Sequence, residues 1–171
     1  FILLLVFYGL LLVHTISPYT DDINRHIKNG ELVLQGHFGV LHSNFYSYTE
    51  PDFPFINDHW LSGVVFYLTY HFFGFGGLTI MKTGLFLFLF SLLFYLAAQK
   101  ADFWLVAVFS LLALLVLRMR TDARPEMFSY LFIVIFLYLL KDWDEHPEHK
   151  RVYWLIPLQI LWVNMHIFFS V

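Results

Sequence analysis

Residues 60–99, WLSGVVFYLTYHFFGFGGLTIMKTGLFLFLFSLLFYLAAQ, hold a single charged side chain, Lys82. A membrane-crossing helix needs roughly 20 predominantly apolar residues. The stretch is long enough for two, and its GFGG, Gly74 to Gly77, marks a tight turn between them. Further stretches without Asp, Glu, Lys or Arg run over 1–20, 103–117, 127–140 and 152–171. A soluble core would have to bury all of these runs at once. The pattern predicts an all-α fold, a polytopic bundle of about six membrane helices. The runs 103–117 and 127–140 are short unless flanking residues contribute.

Composition agrees. The chain has 171 residues and is 59% hydrophobic, 21% aromatic and 13% charged, against about 25% charged in an ordinary soluble domain. A net charge of −3 offers no nucleic-acid footprint. Cysteine is absent, which excludes disulfides and thiolate chemistry. With Phe1 first and Val171 inside an apolar run, the chain reads as a single transmembrane region, 1–171, of a longer membrane protein. The first run lacks a basic leader and a small-residue cleavage site, so it reads as a helix.

Polar residues concentrate in 17–59. Ser17-Pro18 ends the first helix. Thr20 is a candidate N-cap, with Asp21 and Asp22 in the first turn where the helix dipole favours acids. Gly30 fits a stop, so a helix is expected over 21–29. Its 3.6-residue period puts Asp22, Arg25, His26 and Asn29 on one face, with Ile23 and Ile27 beside it. Such a helix suits a membrane interface. The following HSNFYSYTEPDFPFINDHW, 42–60, reads as a structured loop anchored by aromatics. The whole segment 17–59 carries six acids against Arg25 and Lys28, which places it on the outer face.

Strict alternation of helices then puts 74–78 and the basic connection 118–126 inside, with 99–102 and 141–151 outside. Three arginines inside, Arg118, Arg120 and Arg124, satisfy the positive-inside rule. A re-entrant 60–73 would flip the parity and bring these arginines to the side of Asp22.

Several groups could carry chemistry. Asp21 and Asp22 could act as a general base if an interface tunes their pKa, or could only cap and solvate the helix. Asp22 and His26 are four residues apart and could meet. His37, His42, His59, Asp52 and Asp58 share the loop. None has the spacing of a closed metal motif, so no metal site is expected and no cofactor is required, although a divalent ion is chemically possible. The arginines suit phosphate, or only fix topology. Asn164 and His166, within the last apolar run, face a bundle interior or a cavity, or bond helix to helix.

The order of these pieces is more specific than any one of them. DDINRHIKNGE after the first span, then NFYSYTEPDFPFINDHWLSGVVFYL, GFGGL, RPEMFSYLF and WVNMH resemble the amino-terminal part of bacterial GT-C superfamily membrane glycosyltransferase-like proteins. That superfamily includes protein O-mannosyltransferases and aminoarabinose transferases. The resemblance covers nearly the whole chain. It implies a transferase of the cell envelope, in the bacterial inner membrane, with the 17–59 loop outside. It implies a polyprenyl-phosphate-linked sugar donor, membrane lipid around it and an acceptor of unknown identity. Asp22 is the match for the general base, with Asp21 the alternative. By the same resemblance His59 and Trp60 lie near the donor site, and Arg124 contacts the lipid phosphate if topology puts it on the outer side; Arg25, His26, Asn164 and His166 complete the expected substrate-binding set. A second acid is expected from Asp122 or Glu126. The rival reading is a non-catalytic polytopic protein, a transporter or an envelope-assembly scaffold.

Overall fold

The computed structural model of the chain describes residues 1–13, 16, 22–51, 53–117 and 122–167, the Val116 side chain excepted. Asp21, Thr20, Ser17-Pro18, Asp52, Arg118 and Arg120, all singled out from the sequence, lie outside these. The described residues form six α-helices and no strand. They are α1 (Ile2–Leu12), α2 (Ile23–Leu34), α3 (Trp60–Ala98), α4 (Phe103–Leu117), α5 (Glu126–Glu145) and α6 (Leu155–Met165). Short 3₁₀ turns cover Phe38–Leu41 and Lys150–Trp154. Among the described residues one helix, α3, is long and apolar enough to cross a membrane. The helices α1 and α4 are apolar but shorter.

The expected turn at GFGG is present and is sharper than a loop. Gly74 has φ 61° and ψ −159° in the middle of α3, a conformation open to glycine because it lacks Cβ. Thr69 Oγ1 lies 3.3 Å from Met81 Sδ, although a straight helix would separate those residues by about 18 Å. The chain therefore folds back on itself into two arms, 60–73 and 75–98.

The second arm runs along α1 and α5. Tyr8 packs on Phe90, Phe1 on Phe94, and Phe86 on Tyr130. The fold's main core lies along these contacts, with Tyr8, Leu12, Phe66, Leu78, Phe86 and Met127 fully or almost fully buried. At the end remote from α2, Lys100 bonds Glu145 at 2.8 Å and Lys141 bonds Gln99, tying the foot of α3 to that of α5. The turn at 99–102 is as expected, and Asp102 Oδ1 accepts the Trp104 N–H at 2.9 Å to start α4. α5 outlasts its apolar run, carrying helix through Lys141 to Glu145.

The first arm does something else. Trp60 bonds Asn164 at the end of α6, Phe66 packs on Phe128 at the start of α5, and Thr69 meets Met81 near the start of the second arm. Within ten residues, 60–69, the arm thus touches the same end of three helices. The first arm lies across the end of the bundle and not along it.

On top of this arm lies α2. Its helix begins later and ends later than the sequence suggests. Asp22 occupies the N-cap position, its backbone carbonyl accepting from Arg25 and His26. Gly30 does not stop the helix. The stop is Gly36, at φ +82°, where Gly36 N–H bonds Val33 O and His37 N–H bonds Leu32 O, the paired bonds of a Schellman ending. Gly30 is instead a contact point. A Cβ there would stand 2.1 Å from Gly63 O, and one on Gly63 2.8 Å from His26 O. The two helices meet backbone to backbone.

Candidate functional site

The face of α2 divides between Arg25 and His26. Ile23, His26, Ile27, Asn29, Gly30 and Val33 are buried, whereas Asp22, Arg25 and Lys28 are exposed. The four polar residues expected on one face therefore separate. Asn29 is used internally, its Oδ1 accepting from the Tyr46 hydroxyl at 2.7 Å, which ties the aromatic loop to α2.

Beside His26 opens a cavity of about 220 Å3. Arg25, His26, Asp58 and His59 line it from the α2 layer, and Arg124, Glu126 and His166 from the bundle. Arg124 thus shares a cavity with α2, and the strict alternation that separates them is corrected. The physical reason is the fold-back at Gly74: the apolar run 60–73 is not a pass across the bundle, so every later connection changes end.

Each side chain is held differently. His59 Nδ1 lies 2.7 Å from Asp58 Oδ1, which places the proton on Nδ1 and leaves Nε2 as the acceptor. The His59 ring meets the His26 ring edge-on, centroids 5.2 Å apart. Trp162 Nε1–H donates to Ser129 Oγ at 2.8 Å, and Ser129 Oγ lies 2.9 Å from His166 Nδ1. Ser129 Oγ therefore links the Trp162 indole to the His166 ring.

Among the residues that line the cavity, two nitrogens stand out. His26 Nδ1 and Arg124 Nε are buried and have no hydrogen-bond partner among the described residues. The Asp122 carboxylate stands 3.8 Å from Arg124 Nε, beyond hydrogen-bond distance. Buried polar groups in native proteins are nearly always paired, and each exception needs an explanation.

Burial, followed by the nearby His59, Arg25, His166 and Arg124, pulls the His26 pKa down to about 3. The unfolded chain then takes up a proton near the ordinary value of 6.5 while the folded one does not. Stability contributed by this group is present above pH 6.5 and is lost as pH falls towards 3, at about 1.4 kcal/mol per pH unit. Melting curves should show His26→Gln losing less stability than the wild type between pH 7 and pH 5. Equal losses would remove His26 as the cause.

Trp60 and Asn164, expected to bind substrate, are turned to each other. Trp60 Nε1 donates to Asn164 Oδ1 at 2.8 Å, and Asn164 Nδ2 donates to Ile160 O at 2.8 Å. They brace the first arm against α6. Asp22 is exposed at the head of α2, one turn before His26, and does not line the cavity. Of the two expected second acids, Glu126 lines it. Asp58, one of the loop candidates, lines it too, whereas Ser129 and Lys82 were not singled out for chemistry. Lys82 is fully buried in the second arm, and its isolation in a charge-free run is the signal that could have marked it.

No family model, curated protein or solved structure matches the chain.

Proposed function

We propose that this chain belongs to a membrane glycosyltransferase of the GT-C type, which moves a sugar from a polyprenyl-phosphate donor to an acceptor at the outer face of the membrane. The observation that carries the reading is the cavity shared by Arg124 and His26, each with a buried, unpartnered nitrogen. A phosphate-bearing ligand supplies acceptors for such groups, and arginine offers a charged planar fork.

In this reading α1, the second arm of α3, α4, α5 and α6 cross the bilayer, five passes where the sequence suggests six. The exposed apolar side chains Leu3, Leu10, Trp104, Phe109, Ile156 and Ile160 on α1, α4 and α6 then face lipid. The first arm, α2 and the aromatic loop form a layer at the membrane surface. Tyr48, Phe53 and Ile56 are exposed there, which suits interfacial anchoring.

The chemistry follows. Asp22, exposed at the head of α2, takes the proton from the acceptor hydroxyl. The acceptor oxygen attacks the anomeric carbon, the carbon–oxygen bond to phosphate breaks, and the phosphate leaves as an anion beside Arg124. Fixed positive groups placed where that charge develops lower the barrier. The test is transfer in proteoliposomes supplied with polyprenyl-phosphate-linked mannose or aminoarabinose. Asp22→Asn should slow turnover by about 10²-fold or more, and transfer at the wild-type rate would take the base role from Asp22.

A non-catalytic envelope scaffold is the second reading. It is favoured by the exposed position of Asp22 outside the cavity. No transfer from either donor, with the phosphate-binding test of Arg124 also negative, would favour it.

A further inference from the structure

The opposite end of the bundle carries a second constellation. After α5 the chain reads HPEH, His146 to His149. His146 Nδ1 lies 3.6 Å from Glu148 Oε1, and His149 Nε2 lies 3.9 Å from the same oxygen. All three donor atoms lie within 4.8 Å of one another. Zinc bonded to imidazole nitrogen and carboxylate oxygen at about 2.0–2.2 Å holds neighbouring donors roughly 3.3–3.5 Å apart in a tetrahedron. Small side-chain rotations in this exposed loop reach that spacing.

The loop is also braced for the purpose. Asp142, on the last turns of α5, is largely buried. Both its oxygens lie 3.2 Å from His149 Nδ1, and Arg151 Nη1 donates to Oδ1 at 3.2 Å. A carboxylate on Nδ1 keeps the proton there and presents the Nε2 lone pair, the arrangement that supports metal-binding histidines. The backbone agrees. His146 N–H bonds Asp142 O and His149 N–H bonds His146 O, each at 2.9 Å, so both rings project from one hydrogen-bonded turn. The two ring centroids lie 4.8 Å apart, with the rings tilted by 35°. Both line a polar cavity of about 280 Å3, with Gln99, Lys141 and Tyr138 on its other walls.

We propose that His146, Glu148 and His149 form a binding site for a divalent transition-metal cation, with Asp142 orienting His149. Two imidazoles and one carboxylate match the donor set of zinc, with the fourth position open to water or a ligand in the adjoining cavity. The site lies along α5 from Glu126 by about 28 Å, so it does not serve the cavity beneath α2.

The test uses the chain in detergent micelles, with zinc competed against a chromophoric chelator. One zinc per chain is expected. His146→Ala and His149→Ala should each weaken binding tenfold or more, and Asp142→Asn by about 10-fold, as an outer-shell partner does. His42→Ala should change nothing. Cobalt should give intense visible bands of a tetrahedral ion, lost in Glu148→Gln. Absence of binding at micromolar zinc would overturn the proposal. So would binding that survives in His146→Ala/His149→Ala, or binding lost in His26→Gln, which would put the metal at the other end.

Discussion

Gly30→Ala is expected to destabilise the protein by about 3 kcal/mol, at the upper end of the range for overpacked contacts. A Cβ at Gly30 would lie 2.1 Å from Gly63 O, 2.3 Å from Gly63 C and 2.7 Å from Val64 N. These are backbone atoms of the first arm, held by their own helix, and no rotamer change relieves the clash. The helices must part, and α2 then withdraws Ile23 and Ile27 from the main core and Val33 from the smaller cluster it forms with Val40 and Val64. Gly63→Ala meets His26 O at 2.8 Å and should lose less. Gly84→Ala, in the same long helix with nothing within 4 Å, is the control. It should be neutral or stabilising by up to about 1 kcal/mol, because alanine restricts the unfolded chain. Melting in mild detergent reads all three. A Gly30→Ala protein that melts with the wild type would mean that α2 does not pack through these glycines.

The same glycine shows where sequence reasoning reached its limit. The 3.6-residue period made α2 legible, and it placed Ile23 and Ile27 together on the side that is buried. It did not reveal that Gly30 is a contact, because a glycine at a helix end and a glycine at a helix crossing look alike in one dimension. The true ending, Gly36, lies beyond four further helical residues, Glu31 to Leu34, that break no rule. GFGG was legible as a turn because Gly74 needs a positive φ. Its consequence was not. The first arm and a membrane pass are both charge-free, and composition records neither the orientation of a helix nor the end to which the next loop returns. The position of Arg124 depended on that parity. The all-helical class was legible from the length and spacing of the apolar runs, since each alone approaches a full helix. The site was legible in its residue types. His26, His59, Arg124 and His166 meet in one cavity, while Trp60 and Asn164 satisfy one another instead.

Arg124→Ala is the second large effect, and it separates function from architecture. If Arg124 receives the departing phosphate, its removal should lower transfer by about 10²–10³-fold, the usual loss when a preorganised charge-stabilising donor is deleted. Arg124→Lys should recover only part of this, since an ammonium keeps the charge but loses the planar fork. The donor concentration needed for half-maximal rate should also rise. Stability should not fall in parallel. Arg124 Nε is buried without a hydrogen bond among the described residues, and its contact with Asp122 at 3.8 Å is partly exposed. Such a pair is worth less than about 1 kcal/mol, and removing an unpaired buried donor relieves a desolvation penalty. The melting temperature of Arg124→Ala should therefore match or exceed that of the wild type. A structural or topogenic arginine predicts the reverse, with lost stability or misinsertion and transfer reduced only in proportion to folded protein. Full transfer by correctly folded Arg124→Ala, with unchanged binding of a polyprenyl phosphate, would end the assignment of this cavity to the donor.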